Sequence, residues 1–197
     1  MTGITISRQL GSLGTSVGRL VAGRLDYSLV HREIINQAGH ITGSPDIALA
    51  VIDELGLFGL APDESQYQAY LQAVNQVMQT LVAQQNVVIV GRAGQVILRG
   101  RTDVLHVRVI APLEVRIERV MRAHGISRSA AQAQIVESDR YRARYLQRFY
   151  DAQWDDPALY HLIVNTGLMS LAQAADTICA AVYSMTLHAP SEEVTLG

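Results

Sequence analysis

The first stretch of this chain able to do chemistry is GITISRQLGSLGTSVGRL, residues 3–20. An apolar run of strand type ends in Ser7 and Arg8. A turn rich in Gly and Ser follows, then apolar residues at helical spacing. A strand, a glycine-bearing turn and a helix start form an anion site, because backbone N–H groups and the helix dipole converge there. The strict phosphate-loop pattern G-x-x-x-x-G-K-[ST] is not met, since Ser16 and Arg19 stand five residues after Gly11 and Gly14. G-x-G-x-x-G fails too, because Leu13 stands where the second Gly belongs. By pattern alone the stretch is either a diverged phosphate turn or an ordinary turn between strand and helix. All sixteen basic residues are arginine, so no lysine can serve a phosphate anywhere in the chain. Phosphate charge must be met by Arg, backbone N–H groups and metal. The planar guanidinium binds bidentately but does not replace a compact ammonium.

Further charged groups stand in telling places. Arg92 follows the apolar run 86–91 and so leaves a buried strand close to any binding crevice. It reads as a clamp on a ligand phosphate or base, or as one half of a salt bridge. In His31-Arg32-Glu33, Arg32 suits an anionic substrate. His31 is either an acid–base group or a hydrogen-bonded structural histidine. The segment after Ser127 carries Asp139, Arg140, Arg142, Arg144 and Arg148. Arg140, Arg144 and Arg148 share one helix face; Arg142 faces about the other way, with Asp139 three residues before it. Four arginines in nine positions without interleaved acids suit a mobile lid closing over phosphates better than a solvated face. Tyr145, Phe149, Tyr150 and Trp154 are expected to form an apolar cluster at the lid base, or an exposed patch for self-association. No Cys or His metal cluster and no nucleophile elbow is present in the sequence. Asp155 and Asp156 are expected to shape the turn before Pro157.

The elements that must position these groups follow from periodicity. Val17, Leu20, Val21 and Leu25 mark a first helix, and residues 26–31 a turn and short strand. Residues 32–38 and 46–55 read as short helices, and 56–62 as a loop. Residues 64–84 read as a long amphipathic helix. The run 86–91 is a strand of the kind buried in a parallel sheet. Residues 92–99 read as a short helix and 104–111 as another strand. Pro112 opens a helix with core face Leu113, Ile117, Val120 and Met121. Ser127 caps a long helix running to about residue 150. A last strand spans 160–165, a closing helix carries residues 171–185, and 188–197 is a flexible tail. Strands alternating with helices predict a doubly wound parallel α/β sheet, with ligands at the carboxyl ends of the strands.

Composition narrows the class. A chain of 197 residues with 49% hydrophobic and 17% charged residues suits one α/β domain with a substantial core. The net charge of −2 argues against a nucleic-acid or anionic-membrane partner. No signal peptide and no transmembrane run is read, and Cys179 is the only cysteine. The expectation is a cytoplasmic protein without an intrachain disulfide. A homodimer built on the apolar helix 64–84 and the loop through Phe58 is compatible with this composition.

Taken in order, residues 4–25 (ITISRQLGSLGTSVGRLVAGRL), 88–120 (VIVGRAGQVILRGRTDVLHVRVIAPLEVRIERV), 137–145 (ESDRYRARY) and 162–167 (LIVNTG) resemble the cytidylate kinase-like family. This is a divergent branch of the nucleoside monophosphate kinases, and the resemblance runs over about residues 3–180. It implies a P-loop kinase fold with a five-stranded parallel sheet flanked by helices. Within a single domain over 1–187 it implies a helical substrate-binding insertion at about 32–84 and an arginine lid at about 125–155. It implies transfer of the γ-phosphoryl of ATP to CMP or a related nucleotide substrate, with Mg²⁺. The family's turn reads S-R-Q-x-G-S-G-G, matched from Ser7 to Gly14 except at Leu13. The P-loop lysine falls on Gly14, and the following hydroxyl on Thr15. Arg92 matches the arginine that contacts the monophosphate; the acid after it is Ala93 here. Arg142 and Asp139 match the lid's D-x-x-R, and Asn165-Thr166 the loop near the adenine. The resemblance thus assigns Gly11, Ser12, Leu13, Gly14, Thr15 and Ser16 to the ATP phosphates and Thr15 to Mg²⁺. It assigns Arg32, Arg92 and Asp139 to the acceptor side, and Arg140, Arg142 and Arg144 to lid charge. Arg8, within the turn, is the candidate for part of the missing lysine's role. A non-catalytic nucleotide-binding or regulatory module with a degenerate turn is the alternative, and an interaction protein with a vestigial turn a third.

Overall fold

The computed structural model describes residues 3–31, 34, 64–84 and 86–187. Its elements are β1 (Gly3–Arg8), α1 (Gly14–Leu25), β2 (Ser28–Val30), α2 (Glu64–Gln84), β3 (Val87–Val90), α3 (Gly94–Ile97), β4 (Val104–Ile110), α4 (Leu113–His124), α5 (Arg128–Tyr150), β5 (Leu162–Asn165) and α6 (Leu171–Leu187). Among the described residues, five strands form one sheet in the order β2-β3-β1-β4-β5. Every pairing is parallel. This is the sheet expected from the alternating strands and helices.

β1 is central because its β-branched residues can be buried on both faces. Ile6 lies beside Val90 of β3 on one edge and Val107 of β4 on the other. Period-two alternation then splits the core. Ile4, Ile6, Val88, Val90, Leu105 and Val107 pack against α1 and α6. Val87, Ile89 and Val104 pack against α2 through Val74, Val77, Met78 and Val82. The chain leaves β1 toward β2 and returns across it to β4, so the strand order reverses at β1. In open parallel sheets the crevice outside the carboxyl ends at such a reversal takes the ligand. The carboxyl ends of β1 and β3 carry Arg8 and, one step on, Gly91-Arg92.

Several boundaries differ from expectation for local reasons. The short helix is confined to Gly94–Ile97, because Gly91, Arg92 and Ala93 all adopt left-handed backbone with φ of 83°, 60° and 55°. Leu113, expected on the core face of α4, is 42% exposed, while Arg116 is buried. Arg116, not Leu113, is the first-turn side chain of α4 that is buried, donating to Leu10 O and to Asp139. Ser127 caps α5 as expected, its side chain accepting from Ala130 N. Asp156 accepts from Ala158 N at 2.9 Å and shapes the turn at Pro157. The readings for 32–33, 35–63 and 188–197, Arg32 among them, lie outside the described residues. Among the described residues no helix is long and apolar enough to cross a membrane.

Candidate active site

The turn after β1 is built from its carbonyls outward. Arg116 Nε donates to Leu10 O at 2.7 Å, Arg119 Nη1 to Gly11 O at 3.2 Å, and Thr166 Oγ1 to Ser12 O at 2.7 Å. With the carbonyls tied back, the first-turn N–H groups of α1, which have no helical partner, remain at the crevice. Leu13 at the N-cap provides no side-chain cap, and no acidic residue stands in the first turn. Leu13 holds a left-handed backbone at φ 60°, a conformation that costs a non-glycine residue about 1–2 kcal/mol. Gly11 (φ +80°) approaches α4 so closely that a Cβ would lie 2.9 Å from Arg116 O. A Cβ at Gly14 would lie 2.4 Å from Arg8 Cβ. At both glycines the space a side chain would take is already filled, by the Arg116 backbone at Gly11 and by Arg8 at Gly14.

Two clefts meet at this turn. The first is lined by Gly11, Leu13, Gly14, Thr15, Ser16, Arg119 and neighbours. The second is lined by Ser7, Gly91, Arg92, Ala93, Gln95, Tyr141, Tyr145, Leu146 and Trp154. Arg8 and Arg142 line both. Arg8 lies against the bare Cα of Gly91, where a Cβ would come within 2.3 Å of its Nη1. Its Nη2 donates to His31 Nε2 at 2.9 Å, so His31 is a hydrogen-bonded partner that orients Arg8.

The long helix brings Arg142 to the junction and fixes it there. Arg142 Nη1 donates to Ser138 O at 3.2 Å and to Ser138 Oγ, and its guanidinium lies 6.0 Å from the Trp154 ring centroid. Asp139 Oδ1 is 3.9 Å from Arg142, and Asp139 Oδ2 accepts from buried Arg116 at 2.6 Å. Arg116 thus links the turn's Leu10 carbonyl to the helix that carries Arg142. Arg140 and Arg144 line neither cleft; Arg144 is ion-paired with Glu137 at 2.8 Å. Asn165 Oδ1 accepts from Gly167 N, and buried Thr166 braces the turn and Arg119. Tyr145 and Tyr150 pack with Leu146, Trp154 and Leu159 in one cluster, and Phe149 stands 5.2 Å from the Tyr145 ring.

Residues 3–168 match the cytidylate kinase-like family. The chain belongs to that family. It is 27% identical over 187 residues to a cytidylate kinase from Sulfolobus acidocaldarius, covering 94% of this chain and 96% of that protein. It also shares 38% identity over 93 residues with a uronate isomerase from Corynebacterium glutamicum, spanning 46% of this chain but 18% of that protein. Among solved structures it resembles an uncharacterized protein from Eubacterium ventriosum (TM-score 0.73, 19% identity, 93% and 99% of the two chains). It likewise resembles a gluconokinase from Sinorhizobium meliloti (TM-score 0.57, 17% identity, 96% and 97%). The fold is that of P-loop kinases, and family and fold together place the chain among kinase-type enzymes.

Around the clefts, the residues to which sequence reasoning assigns no role are Arg116 and Arg119; Ser7 and Trp154 read in sequence as the start of the turn motif and as part of the lid-base cluster, but not as partners of each other. Arg119 donates to Gly11 O, Thr166 Oγ1 and Thr166 O, and burial lowers its pKa from the usual arginine value. Arg116 and Arg119 stand three apart at the start of the helix after β4, and that spacing at a strand's carboxyl end was the available signal. The hydrogen bond between Ser7 and Trp154 joins positions 147 apart, and no sequence signal announces that pairing. Among the described residues no three His, Cys, Asp or Glu side chains gather to hold a metal.

Proposed function

We propose that this protein transfers the γ-phosphoryl group of ATP to CMP or a related nucleoside monophosphate. The observation that carries the reading is that Arg8 and Arg142 line both clefts, where a donor phosphate and an acceptor phosphate would meet. Phosphoryl transfer asks a protein chiefly for positioning and for neutralisation of spread negative charge.

In this reading the first-turn N–H groups of α1 and residues Gly11 to Ser16 hold the ATP phosphates, and Asn165-Thr166 border the adenine side. Bound Mg²⁺ neutralises phosphate charge. The Thr15 hydroxyl is a hard oxygen ligand of the right kind, the remaining ligands being phosphate and water oxygens. Arg92, with Arg32, holds the acceptor phosphate. Arg8 reaches the junction from the space above Gly14 and supplies part of the charge a lysine would bring. Arg142, set by Asp139, supplies charge from the lid helix; Arg140 and Arg144 would add theirs on closure of that helix.

A second reading is a nucleotide-binding module without turnover. It is favoured by the crowding at Gly14, which leaves no room for a lysine side chain, and by Ala93 in place of an acid. One assay separates the two. ADP formation is followed with Mg²⁺ and CMP, dCMP, UMP or AMP, with gluconate as control, beside ATP calorimetry. Turnover on a nucleoside monophosphate supports the kinase reading. ATP binding without turnover supports the module, and absence of ATP binding overturns both.

A further inference from the structure

Ser7 and Arg108 are register partners on β1 and β4, so their side chains leave the same face of the sheet side by side. Arg108 is 6% exposed, and among the described residues no carboxylate pairs with it. A buried guanidinium ordinarily needs an anionic partner, because the desolvation of its charge must be offset. Here its Nη1 donates to Trp154 O at 2.6 Å. Its guanidinium lies 4.7 Å from the Trp154 ring centroid and 5.5 Å from that of Tyr160. One carbonyl and two aromatic faces take the place of an acid, and the indole is pinned as a result.

Trp154 Nε1 donates to Ser7 Oγ at 2.9 Å. Tyr160 has one hydroxyl hydrogen, and its 2.7 Å contact with Trp154 O takes it. Tyr160 Oη, the donor in its 3.4 Å contact with Ser7 Oγ, is too far away for a good O–H···O bond in either direction, so it does not hold Ser7's own hydrogen. Ser7 lines the second cleft beside Arg8, Arg92 and Arg142. We propose that Ser7 donates its hydroxyl hydrogen to an anionic oxygen of the acceptor, and that Arg108, acting through Trp154, is the positioning residue that aims it. The proposal rests on the acceptor reading of that cleft.

The test uses CMP as probe without ATP, with Kd from calorimetry and the indole N–H resonance of Trp154, the sole tryptophan, from NMR. Wild type binds CMP and the indole resonance shifts. Ser7→Ala and Arg108→Met each weaken CMP about ten-fold while ATP affinity stays within about two-fold. The double variant binds no worse than either single one, because the two residues act in series. Without ligand, Arg108→Met already moves the indole resonance. Should that variant not fold, Trp154→Phe, which keeps a ring and deletes the donor, gives the same loss. Ser7→Ala that binds CMP like wild type overturns the donation by Ser7; Arg108→Met that does so, losses that multiply to about a hundred-fold, or an unmoved indole resonance in Arg108→Met overturn the positioning role, and each of these outcomes leaves the acceptor reading standing. Wild type that binds no nucleoside monophosphate removes the acceptor reading and this proposal with it.

Discussion

Gly14 sits in a space already filled, with Arg8 Cβ 2.4 Å and Val109 Cβ 3.2 Å from where its own Cβ would stand. Restoring a lysine there by Gly14→Lys is therefore expected to lower the melting temperature without raising turnover, which thermal denaturation and ADP formation together would reveal. Arg8 is the residue whose loss should matter to chemistry. Arg8→Ala is expected to lower kcat by about 10²–10³, because it removes a preorganised charge at the meeting point of the clefts. Steady-state kinetics that leave kcat unchanged would exclude Arg8 from the lysine's role. Arg8 was identifiable from its place in the turn. Gly91's part in admitting its guanidinium was not, because that contact joins β1 to β3 across 83 positions of chain.

At the scale of elements, the Gly-rich turn, α4 and α5 are joined through Arg116 and Asp139. Asp139→Asn leaves a guanidinium that is 4% exposed facing a neutral amide. Because Asp139 itself is 25% exposed, the expected loss is about 2 kcal/mol rather than the larger penalty of a fully buried pair. Urea denaturation measures that loss, and a parallel rise in KM for ATP would report the loosened turn. The turn after β3 carries its own cost. Ala93 is held left-handed, so Ala93→Gly is expected to stabilise the fold by roughly 0.5 kcal/mol, the relief of φ strain exceeding the added chain entropy. A fall in stability on that substitution would mean that the methyl's packing against Leu146 and Trp154 outweighs the strain.

Across the whole molecule, one buried histidine ties stability to pH. Burial, reinforced by the nearby His161, pushes the His106 pKa down to about 4. The unfolded chain, with a histidine pKa near 6.5, binds the proton first, so stability is complete above about pH 6.5 and declines toward pH 4. The total effect is about 3 kcal/mol. His106→Gln should flatten this acid limb in urea melts taken at pH 4.5 and 7; an unchanged limb would assign the acid sensitivity elsewhere. Much of the molecule was legible in one dimension. The apolar runs at 86–91 and 104–111, the amphipathic period of 64–84 and the Ser127 cap depend on neighbours in sequence, and hydrophobic periodicity reports those directly. The same periodicity misassigned Leu113, because the first-turn side chain that is buried is Arg116, whose partners come from the turn after β1 and from α5. Arg92 and Arg142 could be singled out by their places at a strand end and on a charged helix. By itself the sequence determined a parallel α/β sheet, a glycine-bearing turn between its first strand and first helix, and arginine in place of lysine throughout. Only the tertiary structure decided that Arg8 and Arg142 stand where two clefts meet, that Arg140 and Arg144 do not, and that Arg108, Trp154 and Ser7 form one unit. Those relations are set by strand order, register and the packing of helices and loops on the sheet, which bring together residues from 46 to 147 positions apart and leave no periodic trace in the chain.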